Sequence, residues 1–400
     1  MSYDRRNFLK SMTAALGAST LVPYAHPLLA QSAKTSKVLL IGLHGGMSPF
    51  LGNAGAFAGT GWGGRQVTTN GQVSWDTEVF GSLMAEAAPY FGVAGSLGSG
   101  SHDGAKNFWY VNNNINQAFP VLLANAIGGN STIKVAGVGP DRIPEQRYEQ
   151  ITNISSFLDL VGNSTQQNQA TTSSPNYQLQ ADLLLQAKKL SGTVIDKSPT
   201  NLNSALLGIT GVHENALMLV NNPPSPEQPA PVTVNPQAIM SDYGINSPVI
   251  GRDMASKLAA AEILLRTGVN VVSVVDEGGT SKWDTHDDNN GSRGRQLYSN
   301  IVDSLETFCR RMLGSSTMNV TVVLLSEHSR ITEKSNHGPH TAVPIFSDRI
   351  VGGQSTGVTN SGGFILNRQP EQALRALVAD LAMVGVNPFG THGHSSLMRG

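Results

Sequence analysis

The sequence predicts an α/β fold: a mostly parallel central sheet with helices on both faces, interrupted by a helical and loop insertion. Three observations predict it. Short unbroken apolar runs, such as "VLLIGL" at 38–43 and "NVTVVLL" at 319–325, suit strands buried on both faces. Stretches of helical period fall between the runs. Polar, histidine-bearing loops follow the runs, at the carboxyl ends where open α/β sheets place their ligand sites.

Taken in order, residues 1–30 come first. "DRRNFLK" pairs Arg5 with Arg6, and the mildly apolar "SMTAALGASTLVPYAHPLLA" follows, ending at Ala30. This reads as a twin-arginine export signal cut near Ala30–Gln31, and it implies the twin-arginine translocase as a partner and a periplasmic or secreted location. Pro23 and Pro27 break the segment, so no stable membrane span is expected. Residues 31–400 then read as a single domain. The first strand is 38–43, and the Gly-rich stretch 50–78 reads as a long loop or hairpin. Further strands are "FGVAG" (91–95), "IKVAGVG" (133–139), "VNVVSVV" (269–275) and the run at 319–325. Amphipathic helices are expected over 177–190, 254–268, 296–314 and 371–385, with Gly268 and Gly314 as stops. Residues 161–250, rich in Asn, Gln, Ser and Pro, read as the insertion.

Charged residues make up only 14% of the 400, and the formal charge is −1. Removing 1–30 takes three basic residues and one acidic one, which moves the charge to −3. No basic stripe appears, so nucleic acid is not an expected partner. The single cysteine, Cys309, sits in a helical pattern and reads as a core residue. It can form no intramolecular disulfide, and any metal site must use nitrogen and oxygen ligands. No cysteine cluster could hold iron–sulfur, and "GLHGGMS" lacks dinucleotide-binding spacing, which weighs against a redox enzyme.

Six of the ten histidines fall in loops after strand ends, on one predicted edge. His44 comes after the first strand, His102 after 91–95, His286 after 269–275 and His328 after 319–325; His337 and His340 share the next loop. Asp276, Glu277, Asp284, Asp287 and Glu327 lie among them. Imidazole and carboxylate without thiolate suit zinc first, with manganese or iron as alternatives. Asp284 and His286, two apart, would project to one side of an extended loop. Glu327 and His328 are adjacent, so both can be ligands only if the chain turns there. A bland reading makes "EHSR" a Glu327–Arg330 pair capping the strand, and "THGHSS" a mobile tail carrying His392 and His394.

"WDTHDDN", "LLSEHSR", "NHGPH" and "IVGGQSTGVTNSGG" together resemble the exported domain-of-unknown-function 1501 (DUF1501) family, within the alkaline phosphatase/sulfatase superfamily. The resemblance is firm over 269–385 and implies an alkaline phosphatase-like fold. It implies that Glu327 and His328 are one metal pair and that Asp284, His286 and His340 are another set, with Glu277 a weaker acid. The superfamily's first-loop aspartate is absent, with His44 or Ser48 near that place. The family's "SEFGR" is "SEHSR" here, and its later Asp-His is Pro339-His340. A serine nucleophile would be Ser99 or Ser101, beside His102, at a predicted helix start; the alternative is an ordinary N-cap turn.

The expectation is thus a divalent-metal hydrolase of a small-molecule or polysaccharide ester, phosphate or sulfate. Its metal ligands are drawn from His44, Asp284, His286, Glu327, His328 and His340, and its catalytic residues from Ser99, Ser101 and His102. Two ions are expected roughly 3.5–4 Å apart. The alternative is a non-catalytic exported protein with a degenerate metal site, binding surface polysaccharide or assisting envelope assembly.

Overall fold

The structure, a computed structural model, describes residues 34–48, 50–54, 66–98, 102, 109, 118–129, 131, 133–140, 151–158, 160, 234–276, 282–286, 288, 291–330, 337–360 and 364–399. The export signal, the helix expected over 177–190, most of the insertion, and Ser99, Ser101, Glu277 and Asp287 lie outside the described residues.

Eight strands form the main sheet, in the order β11 (Gln354–Thr356), β5 (Phe91–Leu97), β10 (His340–Ser347), β9 (Met318–Leu325), β1 (Thr35–Gly42), β8 (Val271–Val275), β6 (Val135–Val138) and β7 (Thr152–Ile154). All pairings are parallel except the two made by β10, which runs antiparallel to both β9 and β5. The sheet is therefore mixed but mostly parallel, with one reversed strand. Reversal puts the amino end of β10 on the same edge as the carboxyl ends of its neighbours: His340 pairs with Leu97, the last residue of β5. At the centre, Gly42, Val275 and Leu325 end their strands level with one another.

Strand residues alternate between two apolar layers. Leu39 and Ile41 of β1 lie in the layer that includes α1 (Thr77–Ala87), while Val38 and Leu40 lie in the layer that includes α2 (Phe119–Ile127). The first layer also holds α3 (Pro236–Asp242), α4 (Met254–Arg266) and α5 (Ser292–Met312); the second holds α6 (Glu371–Leu381). Both faces of β1 and β9 are thus covered, which is why these strands read as unbroken apolar runs. The periodic helix α5 buries one stripe, with Cys309 in it. Helix α4 differs from the amphipathic expectation and is buried nearly all round, because the sheet, α3 and α5 all pack on it. Its Glu262 is fully buried and accepts hydrogen bonds from Tyr243 Oη (2.9 Å), Arg266 Nε (2.8 Å) and Arg311 Nε (2.8 Å).

The stretch 50–78 contributes a separate three-stranded antiparallel sheet, β2 (Leu51–Asn53), β4 (Val73–Asp76) and β3 (Val67–Asn70), which makes the hairpin alternative the observed one for its second half. Around the insertion, Ser156 pairs with Val249, and Phe157 N donates to Pro248 O (2.8 Å). The chain leaves and returns at one place. The terminal "THGHSS" is packed, which corrects the mobile-tail reading. His394 is fully buried with Nδ1 2.7 Å from Thr356 Oγ1, and His392 Nε2 lies 2.9 Å from Asp380.

At the opposite edge of the sheet, Lys37 is buried, and its ammonium donates to Val269 O (3.0 Å) and Asn270 Oδ1 (3.1 Å). Burial lowers its pKa from 10.5 to about 8. The unfolded chain holds this proton to higher pH than the folded one, so stability from this group is lowest below pH 8 and rises towards pH 10.5. In urea unfolding, wild type is expected to gain stability relative to Lys37→Met as pH rises through that window.

Candidate metal centre

The centre is built on loops that extend the β1–β9 ladder past the strand ends. Leu43 N donates to Leu325 O (2.7 Å), Met47 N to His328 O (3.1 Å) and Arg330 N to Met47 O (2.7 Å). Between these rungs the chain must bend, and Gly45 and Gly46 supply the bend with φ of 117° and 102°. They also permit contact. A Cβ on Gly45 would stand 2.3 Å from the Asp284 nitrogen, and one on Gly46 2.4 Å from His328 Nε2. The loop after β8 is clamped in turn. Asp276 is buried, with its carboxylate held by Lys282 Nζ (2.8 Å) and Trp283 Nε1 (3.0 Å), and Trp283 N donates to His44 O (3.2 Å). Asp276 therefore anchors Asp284 instead of joining the cluster. Asp288 likewise caps α5 through Arg293 N (3.1 Å) and Gly294 N (2.8 Å).

Four imidazoles and two carboxylates converge above these loops. His102, Asp284, His286 and His337 each offer one ligand atom within 4.8 Å of the others, and so do His102, Glu327 and His328. Ring centroids are 4.0 Å apart for His328–His337, 4.4 Å for His286–His337 and 4.7 Å for His102–His337. The chain does turn at Glu327, which lets this residue and His328 serve one cluster. Glu327 Oε1 accepts from Gly45 N (2.8 Å) and lies 3.0 Å from His102 Nδ1; Oε2 accepts from Ser326 Oγ (3.1 Å). Asp284 Oδ2 lies 3.3 Å from His102 Nε2, and Oδ1 lies 3.4 Å from His286 Nε2 and bonds Arg330.

Arg330 is fully buried, and its guanidinium bonds Asp284 and Gly45 O. The ion pair is with Asp284, and the Glu327 charge lies close enough to favour the guanidinium as well. Burial works to raise the Asp284 carboxyl, but Arg330, His286 and His102 outweigh it and hold it below the ordinary value. His328 is 0% exposed, and neither ring nitrogen has a hydrogen-bond partner among the described residues. Burial, helped by His337 and Arg330, pushes its pKa down to about 2, so the ring is neutral. A neutral buried imidazole with open lone-pair chemistry is costly in a polar cluster unless a cation uses it.

Of the residues expected as ligands, the structure brings Asp284, His286, Glu327 and His328 together, and leaves His44 and His340 outside both groups. His44 Nε2 accepts from Trp109 Nε1 (3.2 Å). His340, the first residue of β10, is buried with its ring 5.7 Å from Phe364. His337 stands in the cluster where His340 was expected, because an antiparallel bridge pairs it with Arg330. Its place in "NHGPH" was visible, but the choice between the two histidines was not. His102, expected in a catalytic role, lies at the centre of both ligand groups; Ser99 and Ser101 lie outside the described residues.

No family model matches the chain, and no curated protein matches its sequence. Among the described residues, no helix is long and apolar enough to cross a membrane.

Two substitutions test this geometry. Gly45→Ala is expected to cost at least about 2 kcal/mol in denaturant unfolding, through strain and the clash with Asp284. His328→Leu is expected to leave chelator-treated protein unchanged, or more stable by about 1–2 kcal/mol, since it removes an unsatisfied polar ring. With zinc present the order should invert, wild type melting higher.

Proposed function

We propose that the chain is a divalent-metal hydrolase acting on phosphate or sulfate esters, working outside the cytoplasm after export. The observation that carries this is His328: a buried, neutral imidazole whose nitrogens lack hydrogen-bond partners among the described residues, set among three more histidines and two carboxylates. The donor set fits zinc, manganese or iron, since it is all nitrogen and oxygen. A divalent ion held by these residues would polarise an ester oxygen and lower the pKa of a bound water. The protein's own part is positioning. Gly45 N fixes Glu327, Arg330 fixes Asp284 and offsets its charge, and the half-exposed His102 and His286 leave the cluster accessible from solvent. The motif resemblance to the DUF1501 and alkaline phosphatase-like proteins supports the same reading.

A second reading is a non-catalytic metal binder, engaging surface polysaccharide. Both carboxylates are already engaged, Glu327 by Gly45, His102 and Ser326, and Asp284 by Arg330, which favours holding an ion over taking a proton.

Purified protein from cells grown with zinc and manganese is expected to carry about one or more divalent ions per chain; below about 0.2 per chain the metal reading fails. Aryl phosphates and sulfates separate the two readings. Turnover abolished by chelator and by His286→Ala supports the hydrolase, whereas stoichiometric metal without turnover of any ester supports the binder.

A further inference from the structure

The ring of His102 has a carboxylate at each end. Nδ1 lies 3.0 Å from Glu327 Oε1, and Nε2 lies 3.3 Å from Asp284 Oδ2. A neutral imidazole has one N–H and one lone pair. Whichever tautomer forms, one nitrogen lone pair faces a carboxylate oxygen. A cation between the two atoms relieves that contact.

The two carboxylates belong to different ligand groups that share only His102. A deep group, Glu327 and His328, is almost wholly buried. A shallow group, Asp284, His286 and His337, reaches solvent: the His286 side chain is 43% exposed. Ligand atoms about 2.1 Å from one ion stand about 3.0–3.4 Å apart at angles between square and tetrahedral. The two His102–carboxylate separations fall in that span.

From this we infer that His102 bridges two metal ions through its two ring nitrogens. One ion sits in the deep subsite with Glu327 and His328, the other in the shallow subsite with Asp284, His286 and His337. The inference rests on the metal-binding reading above and specifies its form. When the second ion binds, a metal–nitrogen bond forms, the remaining N–H bond of His102 breaks, and the proton passes to solvent. The bridging ring sets the ions about 6 Å apart, given metal–nitrogen bonds of about 2.0–2.1 Å. That separation is wider than the roughly 3.5–4 Å of ions that clamp a single oxygen. A bound ester would then span the two ions with different oxygens. Arg330, bonded to Asp284 Oδ1, leaves Oδ2 to the shallow ion.

Copper(II) is a suitable probe, because an imidazolate bridge couples the two spins. The full-length protein, freed of metal, is titrated with copper and followed by metal analysis and electron paramagnetic resonance. About two ions per chain are expected, with the integrated signal at two equivalents well below that of the same copper released in acid. His102→Ala should restore full intensity per copper. His286→Ala combined with His337→Ala should leave about one copper per chain at full intensity, which keeps the test valid if the His102 variant fails to fold. One ion per wild-type chain, or two at full intensity, overturns the bridge and leaves the metal-dependent function standing. No bound ion overturns both.

Discussion

The centre depends on a matter of register. Gly42, Val275 and Leu325 end three neighbouring strands at one height, and β10, the one reversed strand, starts just past that height on the far side of β9, where the His340 carbonyl accepts from Ser329 N. Each strand is pinned by alternate burial on two faces, so a slip of one residue would turn its whole apolar set the wrong way. Rigid strand ends let loops distant in the chain meet. Backbone rungs from Leu43 to Leu325 and from Met47 to His328 then carry the order of the sheet into the loops themselves.

Charge arrangement follows from that closeness. A guanidinium with no exposure would be expensive alone, and Arg330 offsets the cost by bonding both Asp284 and a backbone carbonyl. The same contact fixes which oxygen of Asp284 looks toward His102. Asp276 and Asp288, which share a stretch of chain with Asp284, are drawn into anchoring and capping instead. Three acids within thirteen positions therefore do three different jobs, and their hydrogen-bond partners decide which.

Much of the sheet was legible in the sequence because strands covered on both faces leave unbroken apolar runs, as at 38–43 and 319–325. The short β7 and β11 were not, nor was β10, whose "HTAVPIF" carries a proline that speaks against a strand interior. Gathering polar loops at one edge followed from the strand-end positions of the histidines. Choosing among them did not. His44 and His337 look alike in sequence, yet one is turned to Trp109 and the other is carried into the cluster by its bridge with Arg330. Helix α4 hid its buried Glu262 and Lys257, because their partners lie on other elements: Tyr243 and Arg311 for the glutamate, the Val275 carbonyl for the lysine. Metal stoichiometry and motif resemblance bear on function separately from the fold, which supports many chemistries.

The paired roots of the excursion between Phe157 and Pro248 have a consequence for how such a chain can change. Departure and return are stitched side by side, and the returning arm belongs to the core: α3 packs on α4, and Tyr243 bonds the buried Glu262. With two ends of a chain held together, doubling the number of flexible residues between them adds only about 0.6 kcal/mol of closure entropy. Insertions ahead of α3 would thus weigh little on stability so long as α3 keeps its seat on α4.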